Sequence, residues 1–177
     1  IEALAGVLPS MDRRITNLVE KRLRELGVVL LAKCKALAFE QGELTINTTD
    51  GNKQISVDKV IVAIGRKPNT DDLGLDLAGI SPDDHGLLPV AADRRITGHI
   101  AAIGDITPGP ALAHKASAEA TIAAEALCGN KVTFQPAAIP TVVFSDPEVA
   151  SAGLSKTEAK AEGIETITAN FPLNASG

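Results

Sequence analysis

Two uninterrupted apolar runs, VIVAI at residues 60–64 and IAAI at residues 100–103, each end in a glycine. A run of this length without polar alternation reads as a strand buried on both faces. Such a strand needs sheet neighbours on either side and a packed layer above and below. The glycine that follows leaves the carboxyl edge of the strand open to close approach by a ligand or another backbone. Ligands of open α/β sheets sit beyond that edge. The second run continues into Asp105, and an unpartnered charge at the end of a buried strand is costly. No neighbour in the sequence offers an obvious partner, so a ligand is expected.

The rest of the chain supplies elements of the same class. Ile15, Leu18, Val19, Leu23 and Leu26 recur at helical spacing over residues 12–26, and Gly27 offers a stop. Residues 28–31 form a second short buried-strand candidate. Residues 35–39 continue extended, Gln41-Gly42 turns the chain into 44–48, and Asp50-Gly51-Asn52 signals a hairpin into 54–57. The strand VDKVIVAIG follows at 57–65. Residues 66–88, rich in Pro, Gly, Asn and Asp, read as a crossover. A helix over 111–127, nearly free of charge on one side, closes at Cys128-Gly129. Residues 135–140 form a linker, and a new strand begins over 141–144. Ser155-Lys-Thr-Glu158 has the form of a capping box for a short helix, with a further strand over 165–169.

Composition narrows the function. The chain has 177 residues, a net charge of −5, 2% aromatic residues and neither Trp nor Tyr. That argues against a nucleic-acid surface, which needs basic charge and stacking platforms. The basic cluster at Arg13, Arg14, Lys21, Arg22 and Arg24 is interleaved with Asp12, Glu20 and Glu25, as on a solvated helix face. No apolar run approaches the roughly 20 residues a membrane span requires. No signal peptide is visible, so the expected setting is cytoplasmic. Cys34 and Cys128 have neither redox nor metal spacing, and each reads as a small buried apolar residue.

The candidate binding residues lie at the two glycine turns and at the start of the chain. Asp105 after Gly104 would accept hydrogen bonds from ligand hydroxyls. Alternatively it caps a loop through Thr107. The first turn of the helix that follows carries N–H groups suited to an electron-rich oxygen. Gly65 would let a nucleotide lie against the backbone, or it simply ends a strand before Pro68-Asn69. Glu2, if it closes a strand, would bind ribose hydroxyls and disfavour a 2′-phosphate. His114 reads as a surface or satisfied histidine.

Six collinear segments carry a wider resemblance: EALAGVLPSMD (2–12), VIVAIGRKPNT (60–70), HIAAIGDI (99–106), PALAHKASAEA (110–120), IPTVVFSDPEVASAGLS (139–155) and FPLNASG (171–177). Together they resemble the FAD-dependent pyridine nucleotide-disulfide oxidoreductases. ALAHKA and FPLNASG favour the dihydrolipoamide dehydrogenase branch over the glutathione or mercuric reductase branches. Arg95, where relatives often carry Thr, and Ala101, in place of a common aromatic, depart from the pattern.

The resemblance implies Rossmann-like FAD- and NAD-binding sheets, an antiparallel β meander, and the start of an α+β dimer-interface domain. Residues 1–67 resemble the later part of the NAD-binding domain. Residues 68–136 resemble the central segment returning to the flavin, and 137–177 the opening of the interface domain. It further implies that Asp105, after Gly104, bonds the ribitol of FAD. Ala111, Leu112, Ala113 and His114 would lie along the flavin, where the helix dipole favours negative charge. Glu2 would hold the adenosine ribose of NAD, Ala36 would line the adenine side through its backbone, and Gly65 would lie against the nicotinamide nucleotide. Electrons would pass from dihydrolipoamide through a redox disulfide and FAD to NAD⁺. The partners implied are a second copy of the subunit and a lipoyl-bearing carrier protein of a 2-oxo acid dehydrogenase complex. The redox cysteine pair, the Gly-x-Gly-x-x-Gly loops and the catalytic His–Glu pair all fall outside these residues, so no residue here is expected to be catalytic. The chain opens at Ile1-Glu2 without Met and closes at Gly177, and both ends read as cut. Its role is therefore expected to be that of a portion of a flavoenzyme, the alternatives being the related disulfide reductase branches or a non-catalytic nucleotide-binding fragment.

Overall fold

A computed structural model describes residues 1–9 and 11–172. Ser10 of the first resembling segment and residues 173–177 of the last lie outside the described residues. The chain is α/β, with elements in the order α1 (Arg13–Glu25), β1 (Lys35–Glu40), β2 (Glu43–Thr48), β3 (Gly51–Ser56), α2 (Ala113–Leu127), β4 (Thr141–Val143), β5 (Val149–Ser151) and α3 (Lys156–Ala161). Single 3-10 turns occur at Leu75–Ala78 and Gly104–Ile106. The chain divides into two compact units, one of Ile1–Ile61 with Pro140–Gly177 and one of Val62–Ile139.

In the first unit, α1 starts where Asp12 accepts a hydrogen bond from the Arg14 N–H at 2.9 Å. This is the usual way an Asx residue satisfies an orphan donor. The helix buries Thr16, Val19 and Glu20, whereas Leu18 and Leu26, expected on its apolar face, are exposed. Glu20 tolerates burial because Arg13 and Arg24 both bond it, at 2.7 and 3.1 Å. The meander forms as expected, an antiparallel β1-β2-β3 sheet. Leu44 and Ile46 on β2 alternate inward into the core, the period-two signature of a one-sided sheet. The second turn is Thr49-Asp50, with Gly51 already paired to Thr48, one residue earlier than the Asp-Gly-Asn signal suggests. β4 and β5 pair antiparallel, and α3 carries the full capping box. The Ser155 hydroxyl accepts from the Glu158 N–H at 3.2 Å, and Glu158 accepts from the Ser155 N–H at 2.7 Å.

The second unit is built mainly from turns around an apolar cluster of Ile80, Leu88 and Ala102, with Leu75, Val90, Ile96 and Ile106 against it. The 66–88 crossover thus does more than connect, because it delivers Ile80 and Leu88 to this core. α2 packs on the Gly104–Ile106 turn.

Four strand expectations are corrected. Residues 57–65 form no strand: Ile61 and Ile64 are 92% and 94% exposed. Residues 28–31 reduce to a parallel bridge between Ala32 and Glu2, with Val29 exposed, and residues 165–169 form no strand. Residues 100–103 make only the bridge Arg95–Ala101, although Ala102 is buried. The physical reason is shared. An apolar run acquires a ladder only from neighbours, and among the described residues these runs make isolated bridges at most. The cysteine expectation is half corrected. Cys34 is buried, its thiol donating to the Ala32 carbonyl at 3.3 Å, but Cys128 is exposed just past α2.

Candidate functional site

The Gly104-Asp105 turn is positioned by α2, and the reason lies in the helix's buried face. That face carries Lys115, Glu119, Ala123 and Ala126. A face nearly free of charge was expected, yet two charges one turn apart point inward. Glu119 is fully buried. Its Oε2 accepts from the Gly104 N–H at 2.7 Å and its Oε1 from Arg94 at 3.1 Å. Lys115 Nζ donates to the Gly104 carbonyl at 2.9 Å and to the Thr107 hydroxyl at 3.1 Å, and lies 3.3 Å from Glu119. Burial of these charges is tolerable because each is paired and hydrogen-bonded. Arg94 also lies over the Phe134 ring, 4.8 Å from its centroid.

Gly104 has φ +75°, and a Cβ built there would lie 3.3 Å from the Ala116 Cβ. Of the two neighbours the sequence allows at this glycine, a ligand or another part of the chain, α2 comes this close. Asp105 departs from expectation. Its side chain is 49% exposed and its Oδ2 bonds Arg66 at 3.0 Å, so it is neither buried nor without a protein partner. Thr107 does not cap it, since the Thr107 hydroxyl donates to the Gly104 carbonyl at 2.9 Å.

Asp105, Arg66 and Ala111 share the wall of a cavity of about 590 Å³, with Pro68, Asn69 and Gly109. Arg66, beside Gly65, and Asp105, beside Gly104, therefore meet at one cavity, whose wall includes neither glycine. Gly65 has φ +114° with nothing within 4 Å of a built Cβ. The helix begins two residues later than expected, at Ala113, because Leu112 stays extended, with φ −131° and ψ 135°. No side chain caps this N-terminus. Ala113 and His114 are exposed in its first turn, and Leu112 is half-buried.

Glu2 and Ala36 belong to the other unit. The Glu2 backbone takes part in the Ala32 bridge and its Oε1 accepts from the Leu4 N–H at 2.7 Å. Glu2 lines a smaller cavity of about 230 Å³ with Arg24 and Leu31. Ala36 sits exposed on β1, opposite Ile46 and beside the register shift between residues 36 and 38. A larger cleft in this unit, about 710 Å³ between residues 5–16 and the start of α3, holds none of the expected site residues. Among the described residues no group of three or more His, Cys, Asp or Glu side chains could hold a metal ion. Likewise, no described helix is long and apolar enough to cross a membrane.

Sequence reasoning missed Arg66 as the partner of Asp105, since 39 residues separate them. It also missed Arg94, Lys115 and Glu119. Lys115 and Glu119 did carry a signal, being opposite charges at i, i+4 in an alanine-rich helix. What hid them is that spacing alone does not say which helix face is buried.

Residues 1–120 match the pyridine nucleotide-disulphide oxidoreductase model, and residues 139–177 match the dimerisation domain of the same name. The chain is 42% identical over 182 residues to a dihydrolipoyl dehydrogenase of Geobacillus stearothermophilus, covering 100% of this chain and 39% of that one. It is 38% identical to a protein of the same name from Halobacterium salinarum, with the same coverage. Among solved structures, LpdA from Mycobacterium tuberculosis aligns with a TM-score of 0.78 at 27% identity, over 90% of this chain and 36% of that chain. The HOCl-induced flavoprotein disulfide reductase RclA from Escherichia coli aligns with a TM-score of 0.78 at 25% identity, over 91% and 38%. The chain thus spans about 39% of the length of the curated relatives it matches.

Proposed function

The chain belongs to the pyridine nucleotide-disulphide oxidoreductase family, and from that premise we propose that it is part of a dihydrolipoyl dehydrogenase that uses FAD and NAD. The observation that carries this reading is the meeting of Arg66 and Asp105 at one cavity, in a chain whose named relatives are dihydrolipoyl dehydrogenases.

The residues present fit a flavin nucleotide. Arg66 engages only Oδ2 of Asp105, and Oδ1 takes no hydrogen bond from the described residues. A half-exposed carboxylate with a spare oxygen at a cavity rim is suited to accept ribitol hydroxyl donors. Gly104 sets the position of that carboxylate. Ala111 lines the same cavity, and Leu112, Ala113 and His114, leading from it into the first turn of α2, would hold the isoalloxazine. There the uncapped helix end offers positive potential to an electron-rich edge. When bound, FAD supplies electron transfer between a dithiol–disulfide pair and NAD⁺.

For the nicotinamide cofactor, Glu2 would accept the adenosine ribose hydroxyls and Ala36 would line the adenine side. Gly65, with open space where a Cβ would be, admits the nicotinamide nucleotide. On this reading residues 1–67 serve NAD, 68–136 return the chain to the flavin, and 137–177 begin the interface. The match to a dimerisation domain supports a homodimer, and a lipoyl-bearing carrier protein is the proposed electron donor. Two free cysteines are consistent with a cytoplasmic setting.

The test uses the full-length protein. It should purify yellow with bound FAD and form NADH from dihydrolipoamide and NAD⁺. Asp105→Ala should lose FAD on extensive dialysis while the parent retains it. A full-length protein that neither holds nor binds FAD would overturn the reading, and unchanged flavin content in Asp105→Ala would remove Asp105 from the site.

A further inference from the structure

We infer that Glu119, acting with Lys115, is a positioning residue for the flavin: it clamps the Gly104-Asp105 turn to the first turns of α2. The inference rests on the flavin reading above and adds residues that reading does not use.

The argument starts from where the buried charges spend their hydrogen bonds. Glu119 takes the N–H of Gly104 at 2.7 Å, and Lys115 donates to the carbonyl of the same residue at 2.9 Å. Both backbone groups of the residue preceding Asp105 are therefore held by side chains from one helix face. Lys115 is the third residue of α2, so the clamp joins the carboxylate-bearing turn to the helix end that follows Ala111 of the cavity wall. Thr107, bonded to the Gly104 carbonyl and to Lys115, closes the turn on its far side. Arg94 holds the remaining carboxylate oxygen and touches neither Gly104 nor Asp105 in this network.

A buried ionic cluster is weak evidence for stability, because well-packed apolar residues of similar volume often serve as well. What apolar residues would not do is grip both the backbone donor and the backbone acceptor of one residue. That grip fixes Asp105 against Ala111–His114. A binding site whose contacts come from two separate elements depends on this kind of support, since displacement of about 1 Å is enough to weaken it.

The experiment uses the full-length protein and FAD as the probe. Glu119→Ala should raise the FAD dissociation constant by roughly tenfold to hundredfold, the range for losing a charged hydrogen bond. It should also alter the shape of the bound flavin's visible absorption band. Glu119→Gln keeps an acceptor for the Gly104 N–H and should restore most of the affinity. Lys115→Met removes the Gly104 carbonyl's charged donor, together with the bond to Thr107 and one ion-pair contact of Glu119, and should weaken FAD by about tenfold. Should Glu119→Ala fail to fold, Lys115→Met carries the test. Leu88→Ala weakens the core of the same unit without touching the clamp and should leave FAD affinity within about threefold. Unchanged FAD affinity in Glu119→Ala or in Lys115→Met would overturn the inference. So would an equal loss in Leu88→Ala, because the effect would then be general destabilisation. A parent protein that binds no FAD would overturn the flavin reading itself, a result distinct from a parent that binds FAD while the variants bind it equally well.

Discussion

Replacing Gly104 by alanine separates two costs that the structure places at one atom. The backbone at φ +75° is left-handed, which costs a residue with a Cβ about 1–2 kcal/mol. The new Cβ would also stand 3.3 Å from the Ala116 Cβ, tighter than the roughly 3.5–4.0 Å at which carbon atoms attract. Relief requires the turn to move off α2, which stretches the 2.7 Å bond from the Gly104 N–H to Glu119. Weakening that charged hydrogen bond adds roughly 1–2 kcal/mol, for a total of about 2–4 kcal/mol. Gly79 is the internal control, with φ +68° and nothing within 4 Å of a built Cβ, so Gly79→Ala should cost the backbone portion alone, about 1–2 kcal/mol.

The assay is amide hydrogen exchange of α2 in the full-length protein, which reports the free energy of opening that helix. Gly104→Ala should speed exchange by roughly 30- to 700-fold and Gly79→Ala by at most about 30-fold. Ala116→Gly removes the opposing methyl at the expense of about 1 kcal/mol of helix propensity. Combined with Gly104→Ala it should show a favourable coupling of about 1 kcal/mol. Equal exchange rates in Gly104→Ala and Gly79→Ala, together with zero coupling to Ala116→Gly, would refute the contact and leave only the backbone effect.

Two further outcomes follow from the packing and the caps. Leu88, 2% exposed at the centre of the apolar cluster, should cost about 2–5 kcal/mol when cut to alanine, and a loss below about 1 kcal/mol by urea unfolding would show that the cluster is not a core. Ser155→Ala should destabilise α3 by about 1 kcal/mol, read as faster local exchange in Lys156–Ala161. The capping box also has a pH signature. Hydrogen bonds from the Ser155 side chain and backbone hold the Glu158 carboxyl below its ordinary value of 4.5. A depressed folded value means the stabilisation is complete above 4.5 and is lost as pH falls through the folded value. Glu158→Gln should therefore flatten the acid dependence of α3 protection, and an unchanged acid limb would exclude the pair.

Local chemistry was legible residue by residue. The Ser155–Glu158 box and the Gln41-Gly42 turn each depend on neighbours within a few positions, and each stands where the pattern puts it. Asp105 was singled out for the wrong reason. It lines a cavity, but its supposed burial and its lack of a protein partner do not hold, because half the side chain is exposed and Arg66 reaches it from 39 residues away. The runs at 57–65 and 28–31 failed as strands since apolarity declares a demand for neighbours without supplying them.

The sequence by itself determined the α/β class, the capping box of α3, the Gln41-Gly42 turn and, through six ordered segments, the family. These follow from short-range sterics and hydrogen bonding, which a linear string records directly. Only the tertiary structure decided which face of α2 is buried, and so that Lys115 and Glu119 grip Gly104 while Ala116 forbids it a side chain. A helix written as a sequence presents all its faces equally. The choice among them is made by what packs against it, and burial then turns an ordinary i, i+4 pair into the support of a binding turn.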